Sequence, residues 1–108
     1  MQVVPLRPIP NQTLQIQLGG QACTINVVQK AFGVFVDLFL GTNPVVQGII
    51  GLNGNLIVRN TYFGFSGDLE FLDTQSIIDP VYTGFGTRWF LVYLSPSDIA
   101  ARRHTRNP

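Results

Sequence analysis

A period of two constrains this chain more than any other feature. In Thr13-Leu14-Gln15-Ile16-Gln17-Leu18 apolar residues alternate strictly with polar ones, the pattern of a strand with one face in a core and one in water. Gly19-Gly20 follows, a pair able to take positive φ in a tight hairpin turn. Cys23-Thr24-Ile25-Asn26-Val27 then alternates again, with Cys23, Ile25 and Val27 in the inward phase. The two runs predict a hairpin. In the third run, Val34-Phe35-Val36-Asp37-Leu38-Phe39-Leu40, the odd phase is also apolar: Phe35 and Phe39 flank Asp37 opposite Val34, Val36, Leu38 and Leu40. A strand apolar on both faces is central in a layered structure or carries an interface.

The rest of the chain continues in short apolar runs. Gly41-Thr42-Asn43-Pro44 ends the third strand, and 45–52 follows, leading to an Asn53-Gly54 pair of the hairpin type. Leu56-Ile57-Val58-Arg59, Tyr62-Phe63-Gly64-Phe65 and Asp68-Leu69-Glu70-Phe71 come next, the last read with Leu69 and Phe71 inward and both acids outward. Residues 73–87 form the longest irregular stretch. It holds Ile77, Ile78, Val81, Tyr82 and Phe85, so it lies against the body or docks on a partner. Residues 89–94 read as a last strand, apolar on both faces. Ser95 as a cap and Pro96 at a first helical position predict one short helical turn.

Closely spaced strands with no long helix predict an all-β fold: a small antiparallel barrel or sandwich of about seven strands. Three regions are expected. Residues 1–11, with Pro5, Pro8 and Pro10, form an extended arm that is either an edge segment on its own domain or reaches a neighbour. Residues 12–100 form the β domain, and 101–108 a basic tail that is mobile when unbound.

Composition turns this fold toward partners. Hydrophobic residues make up 45% of the chain and charged residues 12%, about half the usual charge of a soluble domain. Disorder goes with the opposite balance. So thin a charged coat implies that part of the exterior is covered by other subunits. Arg102, Arg103 and Arg106 fall in the last seven positions, and without them four basic residues face six acidic ones. The body therefore has no basic stripe of the kind nucleic-acid binders carry. The N-terminal residues lack the pattern of a secretion signal, no apolar run reaches the ~20 residues that span a bilayer, and the single Cys23 fits a reducing compartment. The expectation is a soluble protein made in a cytoplasm.

Few residues invite chemistry. The one histidine, His104, sits in the tail, which leaves no imidazole to activate Cys23 or a serine. Cys23 reads as a small core hydrophobe. Asp68, Glu70, Asp73 and Asp79 lack the spacing of a calcium loop, and Gly84-x-Gly86 leads into a strand where a dinucleotide site would open a helix. Asn11-Gln12-Thr13 matches a glycosylation sequon that has no secretion signal to give it meaning. No enzyme, metal or cofactor is expected. Asp37 is either a surface carboxylate between aromatic neighbours or an ion-pair partner for an arginine across an interface. The alternative function is a small barrel binding single-stranded nucleic acid on its aromatic rings, but that needs interleaved cations, and only Arg59 and Arg88 come near.

Several runs are familiar together. They are Val4-Pro5-Leu6, Gln12-Thr13-Leu14 and Leu18-Gly19-Gly20-Gln21 in the first half. In the second half they are the stretch from Gly67 through Asp68-Leu69-Glu70-Phe71-Leu72-Asp73-Thr74 to Gln75, then Asp79-Pro80-x-Tyr82-x-Gly84-x-Gly86-x-Arg88, then Leu91-Val92-Tyr93-Leu94. Over nearly the whole chain this resembles the small baseplate plug proteins of contractile-tailed bacteriophages. The resemblance implies a structural virion protein made in the bacterial host cytoplasm and carried in the tail baseplate, present in symmetric copies on its axis. There it would join or close the central assembly of tube, hub and spike, with wedge proteins as further neighbours, and with no part for membrane or nucleic acid. Partner contacts are expected from Pro5, Phe35, Asp37, Phe39, Ile77, Ile78, Tyr82, Phe85, Arg102, Arg103 and Arg106. The arginines lie outside the matching runs.

Overall fold

The computed structural model of the chain describes residues 1–59 and 64–106, with side chains described to residue 101. Its strands are β1 (Gln2–Val4), β2 (Asn11–Leu18), β3 (Gln21–Lys30), β4 (Gly33–Leu40), β5 (Asn43–Ile50), β6 (Asp68–Asp73) and β7 (Trp89–Leu94), followed by helix α1 (Pro96–Arg106). They form two antiparallel sheets, β2-β3-β4-β5 and β1-β7-β6. The sheets face each other without closing, which decides for a sandwich over a barrel.

The larger sheet is a meander set by its turns. Gly19 and Gly20 both take positive φ (58° and 78°), the signature of a type I′ turn, and this fixes the register Leu18↔Gln21 through Asn11↔Val28. The inward phase then falls as the alternation predicts: Cys23, Ile25 and Val27 on β3 and Val34, Val36 and Leu38 on β4 are buried. β5 follows β4 through Gly41-Thr42, and its register slips between Val36 and Leu38 and again between Leu38 and Phe39. At the first slip three residues of β5 span what two cover on β4, a β-bulge with Gly48 at φ 66°.

The smaller sheet supplies the other wall. Val4 on β1, Leu91 and Tyr93 on β7, and Leu69 and Phe71 on β6 are buried against the larger sheet. Each such side chain contributes about 1.5–3 kcal/mol of burial. Of the two alternatives for the arm, its first residues lie on their own domain: β1 pairs with β7, and Val4 and Leu6 are buried.

Two expectations change between β5 and β6. Asn53-Gly54 is not a hairpin turn, and 56–59 is not a strand. The segment runs along the outer edge of β6, where Phe71 O accepts the Gly54 N–H (2.8 Å) and Leu69 O the Ile57 N–H (2.9 Å). Asp68 and Glu70, read as water-facing, are buried (3% and 4% exposed). The Asp68 carboxylate accepts the backbone N–H groups of Ile57 (3.0 Å), Val58 (2.7 Å), Arg59 (2.7 Å) and Leu69 (2.6 Å). Alternation had assigned Asp68 to solvent, but the returning chain covers that face and requires an acceptor there.

The C-terminal helix exceeds the single turn expected. Ser95 Oγ accepts the Asp98 N–H and Asp98 Oδ2 accepts the Ser95 N–H, each at 3.1 Å. This reciprocal cap starts a helix of eleven residues that takes in most of the stretch read as a mobile tail.

Asp68→Asn preserves the volume but turns one of the two acceptor oxygens into a donor facing N–H groups. Its expected cost is about 2–4 kcal/mol, read as a lower midpoint in urea unfolding, whereas Gln47→Ala at an exposed position stays within ~0.5 kcal/mol of wild type.

Candidate assembly surface

The outer face of the larger sheet carries Phe35, Asp37 and Phe39, all half-buried. Phe35 stands between Val28 and Ile50, and Phe39 between Thr24 and Pro44. The Lys30 ammonium lies 5.1 Å from the centre of the Phe35 ring, a cation–π distance. Between the two aromatic rows Asp37 is engaged within its own chain. It accepts the Gly48 N–H at 2.6 Å and the Asn26 amide at 3.3 Å, while Asn26 Oδ1 accepts the Thr13 hydroxyl at 2.8 Å. The relay crosses all four strands and pins the β5 bulge.

The 73–88 loop is organised around one carboxylate. The Asp73 side chain is fully shielded and receives Arg88 twice (Nε 2.8 Å, Nη2 2.9 Å), the Gln75 N–H (2.9 Å) and the Ile78 N–H (3.0 Å). Hydrogen bonding from the Arg88 guanidinium holds this carboxyl far below the usual range, against the upward push of burial. Arg88 also lies 4.4 Å from the Trp89 ring centre, and Trp89 Nε1 donates to Ile78 O (2.9 Å). Farther along, the Tyr82 N–H donates to Gln29 Oε1 (3.0 Å) and Asp79 Oδ1 accepts the Asn53 N–H (2.9 Å).

These bonds hold a loop that turns three apolar side chains outward. Ile77 is 86% exposed and Ile78 54%, with Val81 also exposed. Phe32, in the β3–β4 turn, is 91% exposed. The Gln29–Tyr82 bond puts that turn at the same end of the molecule as the loop. Exposed residues of this size on a fixed support are what a protein interface requires. Val81 was named from the sequence as a loop residue but not among the contact residues, and Phe32 was not singled out, although a phenylalanine inside a tight turn is itself a signal.

The other candidates fall elsewhere. Phe85 is a core ring, 2% exposed and stacked on Phe71 at 5.8 Å, and Tyr82 is half-buried against the core. Pro5 is exposed between buried Val4 and Leu6. The backbones of Arg102, Arg103 and Arg106 belong to α1, but their side chains and that of His104 lie outside the described residues. Cys23 is buried, and desolvation pushes its thiol pKa up, away from nucleophilic use. An uncharged depression of about 490 Å³ lies beside β2 and β3, bordered by Gln15, Gln17, Ala22, Thr24 and Thr42. Among the described residues no group of three or more His, Cys, Asp or Glu is placed to hold a metal. No helix among them is long and apolar enough to cross a membrane.

The chain matches the family described as cyanophage baseplate Pam3 plug gp18 over residues 1–96. It belongs to that family. The match takes in both sheets and the organised loop and stops where α1 begins. No curated protein matches the chain. As a baseplate plug family member it is a structural protein of the phage virion, located in the tail baseplate and associated with other baseplate components. The two sheets do not close into a barrel, so the single-strand-binding alternative loses the architecture it assumed.

The Asp73–Arg88 pair yields a pH test. A carboxylate whose folded pKa is depressed contributes stability above its unfolded value, near 4, and loses it as pH falls through the folded value. Asp73→Asn is therefore expected to be less stable than wild type at pH 7, with the difference shrinking progressively below about pH 4. Urea unfolding across that range checks this, and faster amide exchange at Gln75 and Ile78 in the variant localises it.

Proposed function

We propose that this chain joins or closes the central tube–hub–spike assembly of a contractile tail by protein–protein contacts alone, in symmetric copies. The observation that carries the reading is the rigidly held apolar end. Ile77 and Ile78 project from a loop fixed by Asp73, Arg88 and Trp89 in a chain that belongs to a baseplate plug family. A surface prepared in the free subunit loses little entropy on docking.

The outer-sheet pair Phe35 and Phe39 forms a second contact surface, with Asp37 able to meet an arginine through its remaining lone pairs. Pro5 and the rim of Tyr82 are further contact points, and the α1 arginines give a basic element to set against acidic neighbours. Catalysis has no part in this reading: the chain contributes shape, and its partners cover what water leaves exposed.

Ile77→Asp combined with Ile78→Asp separates assembly from folding, because both side chains are exposed. The melting temperature is expected to stay close to wild type. Co-purification with the hub and spike proteins, and incorporation into virions read by peptide mass spectrometry, should fall roughly tenfold or more. Unchanged incorporation with the fold intact would remove the apolar end as the docking surface. Absence of the wild-type chain from mature virions would remove the whole reading.

A further inference from the structure

The four lateral edges of the two sheets are not alike. β6 is covered by the 53–57 segment, which bonds Phe71 O and Leu69 O. β5 is interrupted by Pro44 and two register slips, devices that block pairing. β1 is three residues long. β2, by contrast, is eight residues long, unbulged, and has no charge and no proline. Among the described residues no strand lies beyond it.

The backbone groups that β2 presents can be named. The type I′ turn makes Leu18 and Gln21 a hydrogen-bonded pair, so alternate residues Ile16 and Leu14 also bond β3. Thr13, Gln15 and Gln17 therefore turn their N–H and C=O groups outward. Gln17 O is already taking a donor from outside the ladder, the Gln2 side-chain amide at 3.0 Å. The start of the strand is occupied differently, since the Gln12 side chain bonds Arg7 N and O. What remains is the stretch from Thr13 to Gln17, where the Gln17 carbonyl keeps its second lone pair for a further donor.

We infer that this edge pairs with the same edge of a second copy of the chain, antiparallel about a two-fold axis at Gln15. That register sets Gln15 against Gln15 and Thr13 against Gln17 of the other copy. All are outward-facing pairs, for roughly six main-chain hydrogen bonds. It sets Leu14 against Ile16 of the other copy on the inner face. Both side chains are half-buried at the margin of the core, and pairing completes their cover. No charge on β2 opposes the approach of an identical strand. With one long unblocked edge per chain among the described residues, the contact is isologous and closes at two copies, so it does not run on into a fibre. This inference rests on the reading above only in requiring that more than one copy take part.

Gln15→Pro tests it. The Gln15 N–H faces away from β3, so proline there removes an intermolecular donor and leaves the β2–β3 ladder intact. Gln15→Lys is the second variant, setting two ammonium groups against each other at the axis without altering the backbone. The full-length wild type is expected to sediment as a dimer at micromolar to hundred-micromolar concentration, with self-association weakened at least tenfold in each variant that retains the wild-type circular dichroism spectrum. A wild type that stays monomeric up to the hundred-micromolar limit overturns the inference. So does an oligomer that both folded variants leave unchanged. In either case wild-type co-purification with the hub and spike still reports independently on the proposed function.

Discussion

The fold depends on a single buried carboxylate. Between β5 and β6 the chain must cross from one sheet to the other, and its bonds to the β6 edge, from Gly54 and Ile57, leave the Val58 and Arg59 N–H groups to find another acceptor. Asp68 accepts four N–H groups, three of them on consecutive residues from Ile57 to Arg59. Buried N–H groups without acceptors are costly, and charge-assisted bonds are the strong ones. With those donors satisfied, Ile57 and Val58 can enter the core, and the segment can lie against β6 and close its edge. The smaller sheet holds only β1, β7 and β6, and this lateral cover lets it serve as the second wall.

How much of this was legible follows from the range of each interaction. β2, β3 and β4 were readable because side-chain alternation is local and Gly19-Gly20 fixes their pairing from within the sequence. The Asp68 arrangement was not. A carboxylate in the polar phase of a strand looks the same whether water or returning chain lies over it, and the deciding partners stand nine to eleven residues away. Asn53-Gly54 misled for a related reason: a turn-forming pair states that the chain can bend, not that two strands flank it. α1 outran its expected single turn because Ser95 and Pro96 were read as opening one turn, with the residues from Ala101 onward assigned to a tail.

The candidate surface was legible unevenly. Ile77 and Ile78 stood out as apolar residues in a loop too long to be a simple connection, and the structure exposes both. Phe85 carried the same signal but belongs to the core. Gly51 explains the difference, because a Cβ there would come within 2.5 Å of the Phe71 ring, so the bare backbone gives that ring room to stack on Phe85. Asp37 was seen as a choice between solvent and partner. Its main role is a third one, holding the β5 bulge, which only a knowledge of the register slip reveals.

The structure also sharpens the inference from low charge. Of six acidic residues, Asp68 and Glu70 are buried, Asp73 is enclosed by Arg88 and its own loop, and Asp37 is tied into the sheet. Asp37, Asp79 and Asp98 keep some exposure, but Asp79 accepts the Asn53 N–H and Asp98 pairs with the N-terminal ammonium at 2.9 Å. The exterior is thus poorer in carboxylate than the composition implies. Over the outer sheet its polarity rests on amides and hydroxyls such as Asn11, Thr13, Gln15 and Gln17. Such groups hydrate the surface yet repel nothing, so they give no electrostatic barrier to the approach of another subunit. Selection for a free monomer favours charge at exposed edges. Here most of the carboxylates are engaged in organising backbone, and the exterior they leave behind is thinly charged.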